Sequence, residues 1–487
     1  MSRLTGWLAL AALMGCLGLA SVSIPTQPPV DRANVILILT DDMRLDDLAY
    51  MPHVQELLVD RGVVFEQALS TYPLCCPARA TLLTGQYAHN HDVEGNKWPR
   101  GGFRRLNDDN TLATWLQGSD YRTAFIGKYL NEYPQTDAEY VPPGWDYWRG
   151  SAGGTYEYFN LTTNDDGTLV EHPGIHQSLV VEQYADEAIT TYARSQEPFF
   201  LWASFVAPHR ECEPEHIRLT GAETCWGPPS PTPMDEGAFD GVPLPESPAV
   251  NEQDLSDKTE LLRRHGLVDT AMVDHLRRAR LESLQSVDRA VAALVRQLKA
   301  TGAWDETYVI FASDNGNALG EHRWVQKQLP YEEMIRVPLV MTGPGVPAGV
   351  TRSQSVTLAD VSATALDVAG IEGGRVQDGE SLLPLARGGV PDGEDRMILL
   401  EAGPRSGLGD GWLHQSVRTD RYTFIRWNSG FVELYDRDRD PYELDSVASD
   451  PAFADVRTYL EGALEDLVDC EGRECIRVYE GPDVAIR

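Results

Sequence analysis

An α/β fold, followed by a smaller α+β region, is what the 487-residue sequence predicts, on three observations. The continuous apolar runs 34–40, 198–206 and 307–313 have the length and composition of buried parallel strands. Amphipathic helical periodicity fills the gaps between them. From about residue 390 the pattern changes to short strand-like runs such as Tyr422 to Arg426.

Taken in order, the chain opens with Arg3 and an apolar run from Trp7 to about Ile24, the pattern of a secretory signal peptide over residues 1–24. Leu13-Met14-Gly15-Cys16 also matches a lipoprotein processing box, so a lipid on Cys16 is the one membrane attachment the sequence suggests. The expected location is secreted or in the cell envelope. The run Asn34 to Thr40 delivers Asp41 and Asp42 at its carboxyl end, Pro198 to Val206 delivers His209 just after Pro208, and Thr307 to Ser313 delivers Asp314 and Asn315. Ligands bind beyond the carboxyl ends of strands in open α/β sheets, so three such ends point to one site built from distant sequence. Cys75-Cys76-Pro77-Ala78-Arg79 leads into a helix, Thr111 to Leu116 reads as a second helix capped by Asn110, and Leu284, Val287, Val291, Leu294 and Leu298 define a third, stopped by Gly302. Residues 211–255, rich in Pro, Gly and Glu, read as a long surface insertion near the site. Asn160-Leu161-Thr162 fits an N-glycosylation acceptor.

The formal charge of -33 argues against nucleic acid as a partner. It equally requires that any anionic substrate meet a local positive pocket. Among the 41 basic residues only five are lysines (Lys97, Lys128, Lys258, Lys299, Lys327), which makes each lysine position informative. Setting Cys16 aside, Cys75 and Cys76 lie in the motif, while Cys212 with Cys225 and Cys470 with Cys475 close short loops, as disulfides of an oxidising compartment or as free thiols.

Asp41-Asp42 and Asp314-Asn315 supply oxygen ligands without a nearby histidine cluster, a set that suits Ca2+ or Mg2+ better than Zn2+. Ordinary turns or helix caps would use the same residues. Cys75 at a helix entrance would lie near unsatisfied N–H groups, which predicts a lowered thiol pKa. Arg79, four residues on, shares its helix face. The competing reading is a buried cysteine pair or a vicinal disulfide.

The stretch from Cys75 to Gly85 resembles the maturation motif of the type I, formylglycine-dependent sulfatases of the alkaline phosphatase superfamily. Gly127-Lys128-Tyr129, Ser313-Asp314-Asn315-Gly316, Gly320-Glu321-His322, Lys327, Tyr331-Glu332, Val337-Pro338-Leu339, Glu433-Leu434-Tyr435-Asp436 and Asp440-Pro441-Tyr442-Glu443 follow in the family's order, between residue 34 and about 480. Within the family the chain most resembles N-acetylglucosamine-6-sulfatases and extracellular heparan endosulfatases, through Ala88-His89-Asn90-His91, Lys128-Tyr129-Leu130-Asn131 and the Cys470, Cys475 pair.

The resemblance implies an alkaline phosphatase-like large mixed sheet flanked by helices, with a catalytic domain over 31–385 and a smaller domain over 390–487. It implies that a maturation enzyme oxidises Cys75 to formylglycine (3-oxoalanine), whose hydrate carries two hydroxyls on one carbon: one attacks sulfur, the other later expels sulfate. It also implies that Asp41, Asp42, Asp314, Asn315 and the residue derived from Cys75 hold a cation, Ca2+ or alternatively Mg2+. Arg79 would brace the nucleophile, Lys128 and Lys327 would meet the sulfate, His209 would protonate the departing sugar oxygen, and His322 would contact substrate. His89 and His91 are substrate contacts or supports. Many arylsulfatase-like members carry histidine two residues after the lysine, where this chain has Leu130. The expected reaction is therefore hydrolysis of a sulfate ester, the 6-O-sulfate of glucosamine-type sugars in sulfated glycans. The alternatives are an arylsulfatase, a phosphodiester or phosphonate hydrolase of the same superfamily, and an inactive sulfated-glycan-binding protein.

Overall fold

Asn34–Thr40 forms a strand, β1, buried along its whole length. Its side chains alternate between two cores: Val35, Leu37 and Leu39 pack on one face of a sheet, Ile36 and Ile38 on the other. Helices cover both faces, and a strand wet on neither side has no use for polar positions. A computed structural model describes residues 32–485 except 135, 196, 213–226, 243–245, 389–394 and 404–410. The signal segment, Cys16 and Cys225 lie outside the described residues.

The following strands are β2 (Val63–Leu69), β3 (Arg122–Gly127), β4 (Tyr147–Gly153), β5 (Asn160–Asp165), β6 (Thr168–Pro173), β7 (Phe199–Ser204), β8 (Thr307–Ser313), β9 (Ala318–Leu319), β10 (Val325–Gln326), β11 (Leu339–Thr342) and β12 (Val350–Thr357). Nine of them join β1 in one mixed sheet of ten strands, in the order β12-β2-β11-β8-β1-β7-β3-β4-β5-β6, with β8, β1, β7, β3 and β4 mutually parallel. β9 and β10 form a separate antiparallel ribbon. The helices Gln177–Tyr192 and Thr270–Thr301 pack on the Ile36 face, and Cys75–Thr84, Leu112–Gln117 and Leu358–Ala369 on the Leu37 face. A second, antiparallel sheet holds β13 (Arg396–Ala402), β14 (His414–Arg418), β15 (Tyr422–Trp427), β16 (Val432–Asp436) and β17 (Arg477–Val478), with the Ala454–Leu467 helix against it. The large mixed sheet flanked by helices and the smaller C-terminal sheet are those expected.

The helix through Val287 and Leu294 runs from Thr270 to Thr301 and ends at Gly302 in the left-handed conformation, φ 79°. The expected Asn110 cap is corrected: the helix spans Leu112–Gln117 and its cap is Thr111. Asn110 is occupied elsewhere, its Oδ1 accepting from the Trp115 indole at 2.6 Å. The described part of 211–255 has no helix or strand beyond isolated bridges, and Thr232, Asp235, Ala249 and Glu252 within it are buried rather than on the surface. Cys470 and Cys475 form a disulfide. Among the described residues no helix is long and apolar enough to cross a membrane.

Candidate active site

Register assembles the site. Thr40 at the end of β1 lies opposite Ser313 of β8, Leu39 opposite Ser204 of β7, and Ser204 opposite Gly127 of β3. Four parallel strands thus end together and release Asp41-Asp42, Asp314-Asn315, Lys128 and, after β7, His209 at one edge. Gly127 has φ 97°, and a Cβ there would lie 2.0 Å from the Ser204 carbonyl oxygen, so only glycine lets the chain turn Lys128 into the site. Asp42 itself sits at φ 67°, unusual for a residue with a side chain. The β9–β10 ribbon brings Lys327 in from the other side.

The Cys75–Thr84 helix closes the arrangement, and all ten of its residues are buried. Cys75 Sγ lies 3.3 Å from Asp41 Oδ1 and 2.7 Å from Lys327 Nζ. Lys327 also pairs with Asp42, and Lys128 with Asp41. One turn below, Arg79 donates from Nε to Asp314 Oδ2 at 2.8 Å and from Nη1 to the Lys128 carbonyl at 2.6 Å and Ser204 Oγ at 2.8 Å. Arg79 therefore braces the carboxylates and the β3 terminus rather than Cys75. Asn315 Nδ2 donates to Asp42 Oδ1 at 2.7 Å, and Asp42 N–H donates to Asp314 Oδ1 at 3.1 Å. His209 Nε2 is 3.7 Å from Asp42 Oδ2, while its Nδ1 lies 2.7 Å from the Arg210 carbonyl oxygen.

The lowered thiol pKa expected for Cys75 is overturned. Burial, and then the Asp41 carboxylate, push it up to about 12 against the pull of Lys128 and Lys327. The helix terminus does not offset a fully desolvated position beside an anion. Both motif cysteines are free and buried, so no vicinal disulfide forms. Burial also opposes ionisation of Asp41, yet Lys128, His209, Arg79 and Lys327 together hold it well below the usual carboxylate range. Asp314 moves the other way, raised by burial and by Asp41. Burial lowers His209 to about 4, with Asp41 and Asp42 opposing.

Carboxylate, thiol and imidazole ligand atoms of Asp41, Asp42, Cys75 and His209 lie within 4.8 Å of one another. Asn315 Oδ1 is buried without a hydrogen-bond partner. An orphaned amide oxygen among carboxylates fits a hard cation, which would be its missing partner.

Asp41, Asp42, Cys75, Arg79, Lys128, His209, Asp314, Asn315 and Lys327 are each linked to another of the set by direct contact, and His322 is not. His322 is fully buried, its Nδ1 2.6 Å from Glu252 Oε2 and its ring 4.3 Å from that of Tyr331. His89 is held between Glu401 and the Cys470 carbonyl oxygen, and His91 by Thr81, so both serve packing between segments. Three neighbours were not read from the sequence. Tyr156 places its ring 4.8 Å from Lys128 Nζ and 4.5 Å from the His209 ring. Asn317 donates to Asp42 Oδ2 at 3.4 Å, and Ser204 joins Arg79 to the Lys128 carbonyl. The Asp-Asn-Gly-Asn spacing of 314–317 offered a signal for Asn317; Tyr156 and Ser204 had none.

A mixed sheet flanked by helices, with an oxygen-rich cluster at the carboxyl ends of its parallel strands, is the arrangement of an alkaline phosphatase-like fold. The Sulfatase family model matches residues 33–371, and the N-sulphoglucosamine sulphohydrolase C-terminal model matches 320–469. The chain belongs to the sulfatase family. It is 30% identical to N-acetylglucosamine-6-sulfatase of Homo sapiens, over 96% of this chain and 89% of that protein. It is 34% identical to the extracellular sulfatase SULF-1 homolog of Drosophila melanogaster, over 73% of this chain but only 31% of that protein. A Caenorhabditis elegans Sulf-1 homolog, 35% identical, is likewise covered over 49% of its length, so the chain spans a third to a half of these two relatives. Among solved structures, one described as a complex with D-glucosamine-2-N,6-O-disulfate superposes with a TM-score of 0.72 at 22% identity, over 89% of this chain and 97% of that one. A phosphonate monoester hydrolase from Silicibacter pomeroyi shares the fold with a TM-score of 0.65 at 22% identity, over 89% and 94% of the two chains.

Proposed function

We propose that the protein hydrolyses a sulfate ester of a sugar through formylglycine made from Cys75, and that the group removed is the 6-O-sulfate of a glucosamine-type residue. The observation that carries this is the place of Cys75 Sγ, at the head of a buried helix, 3.3 Å from Asp41 and 2.7 Å from Lys327 Nζ. The substrate class is supported by the 30% identity to the human N-acetylglucosamine-6-sulfatase along nearly all of both chains.

Asp41, Asp42, Asp314 and Asn315 would hold a divalent cation, Ca2+ with Mg2+ as alternative, which together with hydrated formylglycine supplies a hydroxyl of lowered pKa and neutralises sulfate oxygens. The chain's own residues do the rest. Three carboxylates (Asp41, Asp42, Asp314) are balanced by Lys128, Lys327 and Arg79, so a divalent ion leaves the site with two positive charges inside a protein of net charge -33. That is the local field an anionic substrate needs. Lys128 and Lys327 meet the sulfate, and Arg79 fixes the carboxylates and the β3 end. The Arg210 carbonyl can only accept, so His209 carries hydrogen on Nδ1 and presents Nε2 to the site. An arriving sulfate ester adds the negative charge that favours the imidazolium, whose Nε2 proton passes to the departing sugar oxygen.

The same reading includes a formylglycine-generating maturation enzyme as partner, a catalytic region over 31–385, a smaller C-terminal domain over 390–487, and export from the cytoplasm. The test is sulfate release by the matured protein from glucosamine 6-sulfate, compared with an aryl sulfate and a phosphodiester. Turnover confined to the aryl ester would remove the sugar assignment. Faster phosphodiester cleavage would move the protein to the phosphonate hydrolase reading.

A further inference from the structure

Residues 97–105 read Lys-Trp-Pro-Arg-Gly-Gly-Phe-Arg-Arg, four basic residues and no acidic one in a chain with 41 basic against 74 acidic. Arg100 is neutralised by Glu94 and Arg105 by Asp92. Lys97 is exposed, and its ammonium has no partner among the described residues. Arg104 is exposed too, with no carboxylate partner among them, and its guanidinium lies 5.3 Å from the centre of the Trp98 ring. Trp98, 53% exposed, is one of the few large aromatic side chains shown to solvent among the described residues.

This ridge is tied to the site. Trp98 N–H donates to Glu132 Oε2 at 3.0 Å, and Phe103 N–H to the Asn131 carbonyl at 2.8 Å. Asn131 and Glu132 line a cavity of about 410 Å³ together with Lys128 and Tyr156, a size that suits a small ligand. From the other side, Asn96 Oδ1 accepts from the Cys76 N–H at 3.0 Å. The ridge therefore borders the cavity that opens beside Lys128.

We infer that the 97–105 ridge binds the part of a sulfated oligosaccharide that lies beyond the residue being desulfated. It rests on the sulfated-sugar reading above. Trp98 offers a flat face to the C–H side of a pyranose ring, and Lys97 and Arg104 pair with the sulfate or carboxylate that ring carries. An anionic glycan approaching a protein of this net charge needs such a local attraction.

The test compares glucosamine 6-sulfate with a sulfated tetrasaccharide bearing the same group at its non-reducing end, in wild type, K97A/R104A and W98A. In both variants kcat/KM should fall about tenfold on the tetrasaccharide, through KM, and stay within twofold on the monosaccharide. Equal effects on both substrates, or none on either, would overturn the ridge. If wild type cleaves neither sugar, the sulfated-sugar reading fails instead. The ridge is then judged by retention on a sulfated-polysaccharide column, from which K97A/R104A should elute at markedly lower salt than wild type; identical elution would end the proposal.

Discussion

The Nε of Arg79 donates to Asp314 Oδ2 at 2.8 Å, and neither side chain is more than 1% exposed. The pair joins the helix that carries Cys75 to the end of β8, and so sets where the thiol stands relative to the carboxylates. Arg79→Met should cost about 3–5 kcal/mol, because it strands a buried carboxylate, and urea unfolding measures this. Arg79→Lys keeps the charge but not the fork that also reaches the Lys128 carbonyl, so it should lower activity at least tenfold while remaining folded.

Cys75→Ala should abolish sulfate release and leave the melting temperature within a few degrees, since it removes one sulfur atom and its polar contacts with Asp41 and Lys327. In wild type, the tryptic peptide holding Cys75 should be about 18 Da lighter than the encoded thiol form by atom counting. An unconverted fraction should resist alkylation at pH 8, because a thiol pushed up to about 12 is ionised to roughly one part in ten thousand there. Rapid labelling of the native protein would contradict the burial.

Chelation should remove activity and lower thermal stability. Added Ca2+ should raise the melting temperature of the chelator-treated protein in a concentration-dependent way, because an ion held by the proposed site would bind the folded and not the unfolded chain. Asn315→Ala, which deletes the orphaned oxygen, should shift that titration to higher Ca2+. The melting curve reads this without any turnover.

Tyr156→Ala should reduce kcat/KM by ten- to a hundredfold by releasing Lys128 and His209 from the ring between them. Tyr156→Phe keeps the ring and loses only the hydroxyl that accepts from Asn131 Nδ2 at 2.8 Å, so it should stay within about threefold. Steady-state kinetics of the pair separates the roles of ring and hydroxyl.

His89 supplies the pH dependence away from the site. Burial lowers its pKa, but the hydrogen bond to Glu401 and that carboxylate's charge prevail and raise it to about 9. A raised folded pKa means the imidazolium stabilises the fold below the unfolded value near 6.5, and that stabilisation is lost as pH rises through about 9. The difference in stability between wild type and His89→Asn should be larger at pH 6 than at pH 10 by on the order of 3 kcal/mol. Denaturant melts at both values check it.

Strand runs were readable because burial on both faces removes polar positions: β1 and β8 span the very residues the apolar pattern marks, and β7 lies inside its run. Asp41, Asp314 and His209 were readable because they follow those runs. What the pattern could not convey is charge coupling. The helix entrance at Cys75 suggested an acidic thiol, and only the tertiary structure places Asp41 beside it and excludes water. Asn110 failed as a cap for a similar reason, since its partner is an indole five residues away rather than a backbone donor. Tyr156 arrives from an irregular segment between β4 and β5, where no periodicity marks which side chain will turn inward.

The helix Cys75–Thr84 exposes none of its ten residues, and Pro77 and Arg79 are as hidden as Cys75. No second protein could read that sequence once the sheet has closed over it. If Cys75 is converted to formylglycine, as proposed above, that conversion is a matter of timing: it has to be finished while the segment is still an open strand of polypeptide, and a molecule that folds too soon would be locked out of the proposed reaction.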